Sequence, residues 1–238
     1  MTHAISFGKV AAPALTLCER LRHETMAVHR ALERSDLMQA LLKGRMEPAL
    51  FCLMLRNLLP MYAALESGLS RNSRHPAIDP IYDDSLFRCR ALATDLNALQ
   101  SSAWRTELAI LPVTEAYAES LMQLSASQPE LLVAHAYVRY LGDLSGGQLI
   151  QNILARAPVA GRQGSEHRIM AFYDFGPPAE VGHKASLLRD GINRVGHDPA
   201  LAQAIVDEAL RAFELHRQLF EQLALAGQLP KSMLNPVH

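Results

Sequence analysis

From Ala134 to Ala157 the chain reads AHAYVRYLGDLSGGQLIQNILARA. Both flanks are good helix formers with apolar residues at helical spacing, yet Gly142, Gly146 and Gly147 occupy the middle. Each glycine inside a helix costs about 1 kcal/mol relative to alanine. Three of them cost roughly 3 kcal/mol, a large share of a domain's net stability. Such a helix needs a reason for its bare backbone, and three readings compete. Gly142 and Gly147 have the GxxxxG spacing of a phosphate loop, but Gln148 and Leu149 stand where that motif needs Lys and then Ser or Thr. Gly142 and Gly146 have the GxxxG spacing of a membrane dimer, but Arg139 and Asp143 do not suit lipid. In the third reading, a water-surrounded helix lays its backbone against a flat surface, because Gly142 and Gly146 are one turn apart on one face. That surface is a planar ligand or another helix, and spacing alone does not choose.

Asp143 adds a chemical constraint. A carboxylate beside bare helix backbone needs a partner when buried. Tyr140 at i−3 and Arg139 at i−4 are both in reach. An Asp–Arg–Tyr network with water beside a ligand is a means of moving protons. The competing reading is a structural Asp–Arg ion pair.

The rest of the chain predicts an all-α fold. Leu17, Leu21, Val28 and Leu32 form one helical stripe. A second helix starts after Glu47 with Pro48 in its first turn, and Pro60 inside it predicts a kink or break. Residues 71 to 83 read as a loop, followed by helices over 85–99 and 113–124 and the long segment that Pro129 opens. Loops are expected at 160–164 and at Gly176-Pro177-Pro178, then helices over 179–194 and 199–226. The architecture expected is a single-domain helical bundle of seven to nine helices, 1–238, with its core at about 14–226 and flexible ends. Hydrophobic residues at 49% and charged residues at 20% exclude intrinsic disorder, and a net charge of −1 gives no bulk attraction for nucleic acid. Cys18, Cys52 and Cys89 form no CxxC and read as buried free thiols. No apolar run reaches the ~18 residues of a membrane span, and Val10 to Cys18 makes a weak signal peptide. A soluble cytoplasmic location without a membrane anchor is the expectation.

The run Tyr140-Leu141-Gly142-Asp143-Leu144-Ser145-Gly146-Gly147-Gln148 resembles the signature of haem oxygenases of the mammalian and cyanobacterial type. Further matches follow in family order from about residue 17 to 224. Thr25-Met26-Ala27-Val28-His29 with Glu33 resembles the proximal-histidine helix. Lys43-Gly44 and Tyr62-Ala63-Ala64-Leu65-Glu66 resemble the second-helix region, and Ala212-Phe213 to Leu219-Phe220-Glu221 the last core helix. The resemblance implies haem b held between a proximal and a distal helix. It also implies cleavage at a meso carbon to biliverdin, carbon monoxide and ferrous iron, with O2 and electrons from a separate reductase or ferredoxin.

Residue by residue, the resemblance makes His29 the axial iron ligand and Glu33 the acid that orients it. Gly142 and Gly146 become the glycines on the haem face, Asp143 the organiser of distal water, and Tyr62 and Arg139 members of that network. Arg22, Tyr137 and Arg189 match propionate partners, and Phe213 an aromatic near the haem. Lys184 lies one residue from a family lysine, with Ala185 in the matching position, and one residue rotates a helical side chain by about 100°. The spacing agrees independently at two points. His29 and Glu33 are at i and i+4, so the carboxylate can reach the ring's second nitrogen. Arg22 lies seven residues before His29, about 10.5 Å along the same face. A lone helical histidine is otherwise more often structural, and Phe213 alone would be core.

Two other classes compete: a haem-binding or trafficking protein without turnover, and a di-iron carboxylate bundle. The latter needs two ExxH motifs, and Glu180–His183 is the only such spacing. A thiamine-hydrolase relative would need a nucleophilic cysteine in a motif. No flavin or pyridine-nucleotide fingerprint is present, so the electron donor is a separate partner, and a basic surface near Arg22 and Arg189 would suit an acidic one.

Overall fold

Thr16 and Glu19 close a reciprocal capping box that starts the first helix, α1 (Leu17–Glu33). The computed structural model describes residues 15–100, 102–156 and 170–227. Among these residues there is no β-strand. Ser35 caps a second helix, α2 (Asp36–Leu42), and Gly44 at φ +63° ends it in the left-handed region that favours glycine. The sequence pattern did not mark α2 because two turns are too few to show a period.

α3 (Pro48–Arg71) starts at the expected proline and is buried on most of its faces. It runs through Pro60 without a break, because the helix on both sides of the proline is buried in the core. It is the one helix among the described residues long and apolar enough to cross a membrane, and it is a core helix here. The buried Asn57 staples it to the next layer, accepting hydrogen bonds from the Leu111 backbone N–H and the Thr114 hydroxyl, both 2.8 Å. Glu66 accepts the first N–H groups of α4 (Cys89–Gln100), from Arg88 and Cys89. After the short α5 (Trp104–Glu107), α6 (Pro112–Ser127) packs along α3.

The glycine-bearing rod follows. It is α7 (Leu132–Ala136), a π-turn over Tyr137–Leu141, and α8 (Gly142–Arg156) in unbroken succession. With the two pieces counted as one rod, the described residues hold nine helices, within the expected seven to nine. α9 (Pro178–Val195) and α10 (Pro199–Ala226) complete the bundle, and α10 packs on α1, α6 and α7. The expected loop at 160–164 and the C-terminal tail lie outside the described residues.

Two departures concern the predicted stripe and the thiols. Leu17 and Leu21 are buried, but Val28 is exposed and Leu32 only half-buried, so the second half of α1 packs less deeply than the first. The three cysteines are free, with Cys18 and Cys89 only partly buried. Burial pushes the Cys18 thiol up to about 12, which removes it as a nucleophile at neutral pH.

Gly191 on α9 lies against the carbonyl of Pro80, so closely that a Cβ would fall 2.1 Å from that oxygen. Gly182 on the same helix has nothing within 4 Å of a Cβ position. Gly191→Ala should lower stability by about 1–3 kcal/mol, while Gly182→Ala should raise it by up to about 1 kcal/mol. Thermal melts of the two variants, moving in opposite directions, check this.

Candidate active site

Among the described residues, Cβ atoms built on Gly142 and Gly146 would meet nothing within 4 Å. A crossing helix would place atoms there, so none of the described helices packs on these two glycines. Gly147 differs: its Cβ position lies 3.5 Å from Tyr173, which packs on the back of the rod. The turn carrying Tyr173 is held by the buried Asp95, which accepts the backbone N–H groups of Ala171 and Phe172 at 2.9 and 2.8 Å. The rod is therefore supported on one side and bare on the other.

A buried polar network lies beside the bare stretch. The Arg139 guanidinium donates through Nε and Nη2 to the Tyr62 hydroxyl at 3.0 and 2.7 Å, and through Nη2 to Asp143 Oδ1 at 3.2 Å. The Tyr62 hydroxyl donates to Asp143 Oδ2. Nη1 of Arg139 donates to Nε2 of His216 at 3.0 Å. Burial raises the Asp143 carboxyl above its ordinary value against the pull of Arg139, and burial likewise raises Tyr62. Burial works against the Arg139 cation, but Tyr62 and Asp143 outweigh it and hold its pKa above the ordinary arginine value. Tyr140 is not a partner of Asp143; its buried hydroxyl makes no hydrogen bond. The π-turn explains this. A turn wider than 3.6 residues brings i and i+4 into line and moves i+3 away.

His29 stands on the exposed half of α1. Its side chain is 51% exposed, whereas His135 and His216 are fully buried and hydrogen-bonded. His29 is thus not a satisfied core histidine. Its ring meets Phe213 of α10 edge-on at 5.8 Å, and Phe213 is itself buried. Glu33 Oε2 lies 3.7 Å from His29 Nδ1, beyond hydrogen-bond length. Tyr137 is half-buried; burial raises its pKa, while Thr25, Arg22 and Arg189 pull it back. Arg22, Tyr137 and Arg189 therefore gather on one side. Among the described residues neither arginine has a carboxylate within ion-pair distance. Lys184 is not free in this way: it donates to the Phe175 carbonyl at 3.0 Å and pairs with Glu180 at 2.8 Å. No group of three His, Cys, Asp or Glu side chains suited to a metal ion forms among the described residues.

Residues 15–222 match the family model for heme oxygenase. Heme oxygenase 1 of the cyanobacterium Nostoc is 33% identical over 218 residues, covering 91% of this chain and 89% of that protein. Human heme oxygenase 1 is 36% identical over 208 residues, covering 87% of this chain and 71% of that protein. The crystal structure of Synechocystis heme oxygenase-1 in complex with heme superposes with a TM-score of 0.80 at 34% identity, covering 90% of this chain and 95% of the other.

The chain belongs to the haem oxygenase family. It is an oxidoreductase that degrades haem, and the observations above fit that substrate: among the described residues, a bare helix face, a half-exposed imidazole and two guanidiniums without a carboxylate partner. Sequence reasoning missed a second tier of this haem oxygenase's network. His135 on α7 donates through Nε2 to Glu208 at 2.9 Å and pairs through Nδ1 with the Tyr117 hydroxyl at 2.9 Å. His216 joins the first tier directly. The signal available was polar residues inside otherwise apolar stripes of α6, α7 and α10.

A carboxyl with a raised folded-state pKa binds its proton more tightly folded than unfolded. Its contribution to stability is full below the ordinary aspartate value of 3.8 and is lost as pH rises through the folded value. In Asp143→Asn that loss is absent. Urea midpoints measured from pH 4 to 7 should shift steadily in favour of the variant as pH rises; parallel curves would contradict the raised value.

Proposed function

We propose that the chain cleaves haem b at a meso carbon to biliverdin, carbon monoxide and ferrous iron, with O2 and electrons from a separate donor protein. The single observation that carries this reading is the open face at Gly142 and Gly146, beside the Arg139–Tyr62–Asp143 network. Haem supplies both the iron at which O2 is reduced and the ring that is opened. His29 would ligate the iron through Nε2, with Glu33 close enough to draw in and orient Nδ1. A neutral imidazole donates less electron density than a thiolate, which suits oxidation of the ring over splitting of O2. Phe213 packs against the imidazole and restricts its tilt.

Arg22 and Arg189 would take the propionates as charge-assisted donors, with Tyr137 between them. Lys184 is already satisfied by Phe175 and Glu180, so it contributes by holding the start of α9. On the distal side the absent side chains of Gly142 and Gly146 let the rod backbone approach the ring plane. Asp143 is poised to hold a water whose proton is delivered above the ring, and Arg139 and Tyr62 keep the carboxylate oriented. The electron donor is a ferredoxin or a reductase by the chemistry required.

Aerobic single turnover of the hemin-loaded protein with ascorbate tests the reading, with the tetrapyrrole product identified by chromatography. Biliverdin is expected, and a Soret band that survives reductant unchanged would indicate a haem-binding protein without turnover. His29→Ala should lose the wild-type haem spectrum. Hemin uptake with an identical spectrum in that variant would sink the assignment of the ligand. Asp143→Ala should retain hemin but form biliverdin on the order of 10²-fold more slowly.

A further inference from the structure

The network contains one ring whose protonation state the hydrogen bonds alone determine. His216 Nδ1 lies 2.8 Å from the Ala212 carbonyl oxygen, which can only accept, so Nδ1 carries the hydrogen. Nε2 lies 3.0 Å from Arg139 Nη1, which can only donate, so Nε2 is bare. Building on the haem-cleaving reading above, we propose that His216 is a positioning residue of the reaction: a neutral imidazole whose bare Nε2 fixes the distal arginine, and through it the direction of the Tyr62 proton.

The geometry gives this a definite route. Two N–H groups of Arg139 occupy the lone pairs of the Tyr62 oxygen, so the Tyr62 proton is left to point at Asp143. That order requires the guanidinium to present Nε and Nη2 to Tyr62. Its remaining end, Nη1, is held by His216 alone among the bonds described. With no acceptor there, a buried N–H is left unsatisfied and the fork is free to turn. His216 is a rigid acceptor because its other nitrogen is tied to its own helix one turn back. The ring is fully buried and packs edge-on to Tyr117 at 5.3 Å and Phe220 at 6.4 Å.

Charged and titratable groups face it from its own helix and three other elements. Arg139 comes from the π-turn, the His135–Glu208 pair from α7 and α10, and Tyr117 from α6. Burial, Arg139 and His135 together push the His216 pKa well below the ordinary histidine value, against the Ala212 carbonyl. A proton on Nε2 would set a second cation against Arg139 and remove the acceptor. The ring therefore acts as a fixed acceptor and does not shuttle protons itself.

Two measurements test the proposal. In the full chain labelled with 15N-histidine, long-range 1H–15N spectra should show one buried ring with protonated Nδ1 and bare Nε2, unchanged from about pH 5.5 to 8. The opposite tautomer at His216, or a titration in that range, overturns the proposal. In hemin-loaded protein, His216→Leu should keep hemin uptake and the His29-dependent spectrum but slow biliverdin formation roughly tenfold or more. His216→Gln, whose amide oxygen can replace Nε2 as acceptor, should restore most of the rate. A leucine variant as fast as wild type, or a glutamine variant as slow as leucine, overturns it. If the leucine variant does not fold, the tautomer and the glutamine variant still decide. Failure of wild-type protein to take up or cleave hemin would instead defeat the functional reading and leave the ring's tautomer as measured.

Discussion

The largely buried guanidinium of Arg139 is the joint on which the polar network beside Gly142 and Gly146 depends. It ties together α3 through Tyr62, α8 through Asp143 and α10 through His216. A buried cation is costly to desolvate, and its partners repay that cost only when the geometry is good and the remaining donors are satisfied. Here a carboxylate, a phenol and an imidazole share the load. The interaction energy is not what the arrangement chiefly supplies, since burial raises Asp143 and Tyr62 rather than stabilising their charged forms. Orientation is. Each bond has one possible donor, so the whole set has one sense.

The glycines and the π-turn belong to the same design. A π-turn costs regular hydrogen bonding and is characteristic of functional segments. It falls at Tyr137–Leu141, immediately before the first glycine, and it aligns Arg139 with Asp143. The three glycines then divide their tasks. Gly142 and Gly146 leave one face of the rod open, and Gly147 faces Tyr173, where a Cβ would make ordinary contact at 3.5 Å. Support at the back keeps a glycine-weakened helix straight enough to present a bare front. Asp95 supplies part of that support from a distance, because the turn it holds also places Phe172 edge-on to Tyr62 at 5.5 Å.

What was legible in the sequence was local. Proline at a helix start marks α3, α6, α9 and α10, because the residue's fixed φ and missing N–H suit that position best, whereas Pro60 inside α3 ends nothing. The glycine cluster announced an unusual helix surface because residues without side chains are costly inside a helix. The features that escaped depend on distance in the fold. α2 is too short for periodicity, although Ser35 and Gly44 were its punctuation. The π-turn has no local signature, so the Tyr140–Asp143 pairing that α-spacing suggests did not form. His216, His135 and Glu208 looked like polar interruptions of apolar stripes. The bonds His135–Glu208 and His216–Arg139 span 73 and 77 residues, where no spacing rule reaches.

The two walls of the site differ in stiffness, and α10 joins them. His216 of α10 holds Arg139, while Phe213, one turn earlier, touches His29. Tyr62, Asp143 and His216 around Arg139 are buried and cross-bonded. α1 is buried only at Leu17, Leu21 and Thr25, so its second half has no fully buried residue and rests on the His29–Phe213 contact and the half-buried Leu32. Segments with few buried contacts open at low free-energy cost. A large planar substrate needs one wall that yields to admit it and one that does not move while protons are placed. On the proposed assignment, compliance falls on the side of His29 and rigidity on the side of Asp143, so an iron ligand at His29 could shift without disturbing the bonds that aim Asp143.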